Sequence, residues 1–174
     1  MKALITGASS GIGRDMARIL SDKGYDLILV SRDKEKLNEV KKELKTNVEI
    51  FSMDLESVEN CKKLYEEVKG KNIDILINNA GFGLIGAFRK TDINRELSMI
   101  DTNIKAVHIL TKLFLKDMVE KDKGRIMNVS SIAGFMPGPL MATYYSTKNY
   151  VLRLSQAIKE ELNKSKSNVK ISVL

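Results

Sequence analysis

Hydrophobic positions along the chain alternate between short continuous runs and longer stretches with helical spacing. Lys2–Thr6, Asp26–Ser31 and Val48–Met53 read as strands. The run DLILVS is apolar at successive positions, as in a strand buried on both faces. Ile73–Asn78, Arg125–Ser131 and Val169–Leu174 read as a fourth, fifth and sixth strand. The segments between them have helical spacing. Gly11–Lys23 puts Ile12, Met16, Ile19 and Leu20 on one expected face, and Asp33 is placed to N-cap a helix running to about Lys45. Glu56–Lys69 is a further helix with Cys61 inside it. Asp92 to about Lys121 is a long helical region with a break expected near Ser98–Asp101, and Thr143–Lys164 is the last helix. This β-α-β-α order predicts an α/β fold, a doubly wound parallel sheet with helices on both faces. Ligands then belong at the carboxyl ends of the strands. No linker, low-complexity tract or repeat interrupts the pattern, so residues 1–174 read as a single domain.

Composition narrows the class. The 174 residues are 43% hydrophobic and 29% charged, which excludes disorder and collagen. The single cysteine excludes a disulfide scaffold and fits a reducing compartment. No apolar run approaches the ~18 residues of a membrane span. The N-terminus MKALITGASS turns to glycine and serine too early for a signal peptide. The expectation is a cytoplasmic protein without a membrane partner. The net charge of +7 raises nucleic-acid binding as a question. The lysines, however, are interleaved with acids, as in Asp33-Lys34-Glu35-Lys36 and Glu39-Val40-Lys41-Lys42-Glu43, the pattern of solvated helix faces. No basic arm or aromatic-interleaved basic strip is present, so no nucleic-acid partner is expected.

Candidate chemistry starts at the first strand-to-helix turn, Thr6-Gly7-Ala8-Ser9-Ser10-Gly11-Ile12-Gly13. Gly7 permits a tight turn, Gly11 lets backbone approach a pyrophosphate, and Gly13 lets the helix pack close to the sheet. The free N–H groups of the helix N-terminus then face an anion. The end of the second strand discriminates between dinucleotides. An acid there would hold the ribose hydroxyls of NAD. The chain instead has Ser31-Arg32, and a guanidinium can hold a 2′-phosphate bidentately. NADP(H) is therefore expected over NAD, with solvent exposure of Arg32 as the alternative.

A Tyr-x-x-x-Lys pair, Tyr144 and Lys148, lies on the last helix, and residues four apart share a helical face. A tyrosine has an ordinary pKa of ~10, too high for efficient acid/base work at neutral pH. A neighbouring ammonium favours the phenolate and lowers that value by roughly 1–3 units. Tyr145 lacks a lysine four residues on and reads as packing. His108, the only histidine, has no partner at metal-ligand spacing, so no metal is expected.

Taken together, these motifs resemble the short-chain dehydrogenase/reductase family, in its single-domain branch. The resemblance runs over nearly the whole chain. The spacing Gly-x-x-x-Gly-x-Gly differs from the Gly-x-x-Gly-x-x-Gly of the extended branch. The resemblance implies a Rossmann-like fold with cofactor contacts from Gly7, Ser9, Ser10, Gly11, Ile12, Gly13, Ser31 and Arg32. It adds Asp54-Leu55 near the adenine, and Asn79, Ala80 and Gly81 from an Asn-Asn-Ala-Gly signature beginning at Asn78. It implies a catalytic group of Asn103, Ser131, Tyr144 and Lys148, with Ser131 thirteen residues before Tyr144. Tyr144 would exchange the proton, Ser131 would bond the carbonyl oxygen, and Lys148 would also bond the nicotinamide ribose. Asn103 would hold a water near Lys148. The implied reaction is hydride transfer between NADPH and a small-molecule carbonyl or alcohol. The apolar segments Phe82–Ile85 and Phe135–Met141 suit hydrophobic ketones, β-ketoacyl groups or steroids. A homo-oligomer, dimer or tetramer, is implied through the two long helices. Family members continue past the sixth strand into a Pro-Gly loop, a substrate lid and a seventh strand. None of these lies in the 174 residues. The expectation is thus the N-terminal part of a longer reductase, of low activity alone. A nucleotide-binding protein without catalytic activity is the alternative.

Overall fold

A computed structural model describes residues 1–174. Six parallel strands form one sheet in the order β3-β2-β1-β4-β5-β6, the doubly wound arrangement expected from the β-α alternation. The strands are β1 Lys2–Thr6, β2 Asp26–Ser31, β3 Val48–Ser52, β4 Ile75–Asn78, β5 Arg125–Asn128 and β6 Lys170–Val173. The helices are α1 Gly11–Asp22, α2 Lys34–Lys42, α3 Val58–Val68, α4 Ile93–Ile100, α5 Val107–Glu120 and α6 Ala142–Lys164. The order reverses between β1 and β4, which opens a crevice at their carboxyl ends.

Two apolar cores flank the sheet. On one face α3, α5 and α6 bury Cys61, Leu64, Leu110, Phe114 and Leu162 against Leu4, Ile28, Leu76, Ile126 and Ile171. On the other, Ala17 of α1 and Leu37 and Val40 of α2 meet Ala3, Ile5, Leu27 and Leu29. Cys61 is fully buried, and the loss of water raises its thiol pKa to about 11. No helix is long and apolar enough to cross a membrane.

The buried face of α1 is not the expected one. Gly13, Ala17 and Ser21 face the sheet, while Ile12 and Ile19 are more than half exposed. The helix sits so close to the strand ends that only small residues fit beneath it. Ile19, Met16 and Leu20 instead border an apolar groove of about 310 Å³ beside Ile75, Ile77 and Met127.

Two further departures bear on the site. β5 stops at Asn128 rather than at Ser131, because the chain turns into a short 3₁₀ segment, Ile132–Phe135. The break expected near Ser98–Asp101 is a π-helical turn at Asp101–Ala106, which joins α4 to α5 and carries Asn103. Such turns widen a helix locally and are frequent at functional sites.

Candidate active site

The crevice is floored by two strand-end turns locked to each other. Thr6 Oγ1 accepts the N–H groups of Asn79 and Ala80, each at 3.0 Å, and Asn79 Nδ2 donates to the Thr6 and Gly7 carbonyls at 3.0 and 3.1 Å. Gly7 has φ +63°, and a Cβ there would lie 2.8 Å from Ala80 Cα. A Cβ on Gly13 would meet the Gly7 carbonyl oxygen at 2.3 Å. Gly11 has open space around it but a φ of +52°, so its requirement is conformational.

This floor ends at the N-terminus of α1. The Asp33, Ser57 and Asp92 side chains cap α2, α3 and α4, whereas Ser10 makes no capping bond and the first turn of α1 holds no acid. The helix start is left electropositive toward the cleft. The cleft has a volume of about 600 Å³. It is lined by Gly7, Ser9, Ser10 and Ile12 from the first turn, Ser31 and Arg32 after β2, Asp54 and Leu55 after β3, Asn79, Ala80 and Gly81 after β4, and Tyr144 and Lys148 on α6. Gly11, Gly13, Asn103 and Ser131 do not line it. Backbone bared by glycine and an uncapped helix start in a cleft of this size suit a dinucleotide diphosphate.

The β2 end carries the charges. Arg32 Nη1 lies 3.2 Å from Glu56 Oε1 and 3.9 Å from Asp54 Oδ2, with its side chain 63% exposed. Lys36, in the first turn of α2, also lines the cleft and pairs with Asp33 at 3.3 Å. The interleaved charges around Lys36 read as a solvated helix face, and the structure also brings this lysine to the cleft wall. Its position one turn into the helix that follows Arg32 was the signal available.

The opposite end holds the tyrosine and lysine. Lys148 is 6% exposed, its Nζ donates to the Val129 carbonyl at 3.0 Å, and burial pushes its pKa down to about 8. The same nitrogen lies 5.8 Å from the centre of the Tyr144 ring. Ser130 Oγ donates to the Lys148 carbonyl at 2.7 Å, which ties the end of β5 to α6. Ser131 Oγ accepts the Ala133 N–H at 3.1 Å, and no hydrogen bond takes its proton. Asn149 Nδ2 donates to the Gly134 carbonyl at 2.7 Å and clamps the segment after Ser131, a contact the sequence did not signal. Tyr145 packs on Gly138, where a Cβ would lie 2.3 Å from the ring.

Asn103 is buried in the π-helical turn, and its side chain reaches the loop after β4. Its Oδ1 accepts the Phe82 N–H at 3.0 Å, and its Nδ2 donates to the Phe82 carbonyl at 2.9 Å and to Thr147 Oγ1 at 3.1 Å. Both ends of the amide thus pin the loop after β4 against α6.

A family profile described as short chain dehydrogenase matches residues 1–174. A very-long-chain 3-oxoacyl-CoA reductase from Mycosarcoma maydis is 33% identical over 99% of the chain. The chain spans about half of that relative's length, 51%. Among solved structures, a metagenomic short-chain oxidoreductase in complex with NADP superposes with a TM-score of 0.93 at 31% identity, over 99% of this chain and 80% of that one. A bulky-bulky ketone specific alcohol dehydrogenase from Comamonas testosteroni superposes at 0.89 with 31% identity, over 99% and 71%.

Proposed function

Because the chain belongs to the short-chain dehydrogenase family, we propose that its cleft binds NADP(H) and that Tyr144 serves as acid/base in interconverting a carbonyl and a secondary alcohol. The 174 residues act as one nucleotide-binding domain in this reading. When bound, the nicotinamide supplies or accepts the hydride. The turn at Gly7–Gly13 and the start of α1 hold the diphosphate, Asp54 and Leu55 flank the adenine, and Arg32 with Lys36 holds the 2′-phosphate. Supporting the phosphate assignment, two cations, Arg32 and Lys36, line this end of the cleft beside Asp33 and Asp54.

The observation that carries the proposal is the buried Lys148 ammonium 5.8 Å from the Tyr144 ring at the end of a cleft with a glycine-bared floor. That geometry puts a buried cation beside the phenol that exchanges the proton with the substrate oxygen. Ser131 has a free hydroxyl proton to donate to a carbonyl oxygen. Asn103 acts by fixing Phe82 and Thr147 around the pair. The substrate is an apolar ketone or a 3-oxoacyl thioester. Ile85, Phe88, Phe135, Met136 and Leu140 stand exposed on the loops after β4 and β5 and offer apolar surface to such a substrate. The similarity to a 3-oxoacyl-CoA reductase supports the same class. A homo-oligomer through the outer faces of α5 and α6, where exposed His108 and Tyr150 meet at 2.8 Å, completes the proposal. Fluorescence titration with NADPH and NADH, followed by a panel of hydrophobic ketones, tests it. Binding of NADPH with ketone-dependent oxidation is expected, and absence of dinucleotide binding overturns it.

A further inference from the structure

Glu96 is a buried carboxylate without a cation. It is 7% exposed, sits on α4, and enters no ion pair. Its partners are two hydroxyls from different parts of the chain. Oε1 contacts Thr91 Oγ1, in the loop before α4, and Oε2 accepts Thr143 Oγ1 at 3.0 Å, in the first turn of α6. Burying a carboxylate among neutral partners costs stability, and a leucine or methionine of similar size would cost less. Local helix capping does not explain the residue, because Asp92 already caps α4 by accepting the Arg95 N–H at 2.9 Å.

The two hydroxyls belong to the elements that seat Tyr144. Thr143 is its immediate neighbour. Thr91 ends the loop whose Gly86 N–H donates at 2.7 Å to the carbonyl of Leu140, in the segment just before α6. A Cβ on Gly83, in the same loop, would lie 3.3 Å from the Tyr144 ring. The ring is therefore held between its own helix turn and this loop, and Glu96 is the side chain that bonds both.

We infer that Glu96 is a positioning residue that joins the Gly83–Thr91 loop to the first turn of α6 and so sets the place of the Tyr144 ring. This rests on the proposed role of Tyr144 only where turnover is the readout.

The test compares Glu96→Ala, Glu96→Gln and Thr143→Val in the full chain. Amide hydrogen exchange is followed at Gly86 and Tyr145, whose N–H groups donate to the Leu140 and Met141 carbonyls. Glu96→Ala should speed exchange at both amides about tenfold or more. Glu96→Gln, which keeps an oxygen acceptor, should restore most of the protection. Where turnover is measurable, kcat should fall about 10- to 100-fold in Glu96→Ala, because a displacement near 1 Å costs that much, with the NADPH Kd within twofold. Thr143→Val, which keeps the carboxylate in place, should reproduce a smaller loosening and serves if Glu96→Ala does not fold. Unchanged exchange at Gly86 and Tyr145 in the folded variants overturns the inference, as does a loss that glutamine fails to rescue. If the chain reduces no ketone, the function of Tyr144 falls while the exchange result still decides the role of Glu96.

Discussion

Lys148 Nζ donates to the Val129 carbonyl at 3.0 Å from a side chain that is almost wholly buried. One helix residue thereby closes the cleft between β5 and α6 and places a cation beside Tyr144. The arrangement weakens the fold. Burial lowers the lysine from its ordinary 10.5 to about 8.

The sign of the pH effect follows. Below pH 8 both folded and unfolded chains hold the proton, and the cost of burying the charge is fully present. Between 8 and 10.5 the unfolded chain binds more protons, so stability rises with pH. Lys148→Met should raise the unfolding free energy at pH 7 by up to about 3 kcal/mol. The gain should shrink toward pH 10. Chemical denaturation of both proteins at pH 7 and pH 10 checks this, and a gain that does not depend on pH would mean that packing, not charge, is responsible.

Gly13→Ala should destabilise strongly, because the new methyl group would lie 2.3 Å from the Gly7 carbonyl oxygen and 2.5 Å from Asn79 Nδ2. Overpacking of this kind costs about 1–3 kcal/mol or more. Gly24→Ala, with open space but a φ of +80°, should lose less, since only backbone strain applies. Thermal melts of the two variants rank the effects.

Arg32 should govern the choice of dinucleotide. A charge-assisted bond contributes ~1.5–3 kcal/mol, so Arg32→Ala should weaken NADPH about 10- to 100-fold and NADH little. Ser31→Asp should shift the preference toward NADH. Lys36→Ala should weaken NADPH by a smaller factor, since its ammonium is shared with Asp33. Equal losses for both dinucleotides would assign Arg32 to its contacts with Glu56 and Asp54 instead.

The strands and the glycine-rich turn after β1 were legible because each is a local signal. A run such as Leu27–Val30 identifies a buried strand, and three spaced glycines between strand and helix identify the turn. Tyr144 and Lys148 were legible because helical spacing alone puts them on one face. What could not be read depends on distant partners. Ile12 and Ile19 resembled a core face, but the closeness of α1 to the sheet selects Gly13 and Ala17. Asn103 bonds Phe82, 21 residues away, and Glu96 bonds Thr143, 47 residues away. Neither pairing leaves a periodic trace in the sequence.

Tyr144→Phe keeps the ring and removes only the hydroxyl. NADPH binding should stay within about twofold, because the substitution leaves the glycine turn, the α1 start and Lys148 in place. The variant should fold with the stability of the parent chain, and its melting curve checks that before any rate is compared.

The decisive measurement is the initial rate of NADPH oxidation, followed by absorbance, with a hydrophobic 3-oxoacyl thioester or bulky ketone, for the parent chain and Tyr144→Phe side by side. The ratio is informative even if the parent rate is low. Ketone-dependent oxidation by the parent and a loss of at least about 100-fold in the variant, the lower end of what general acid/base catalysis contributes, are predicted. Equal rates in the two proteins at saturating NADPH would show that the phenol of Tyr144 does not transfer the proton.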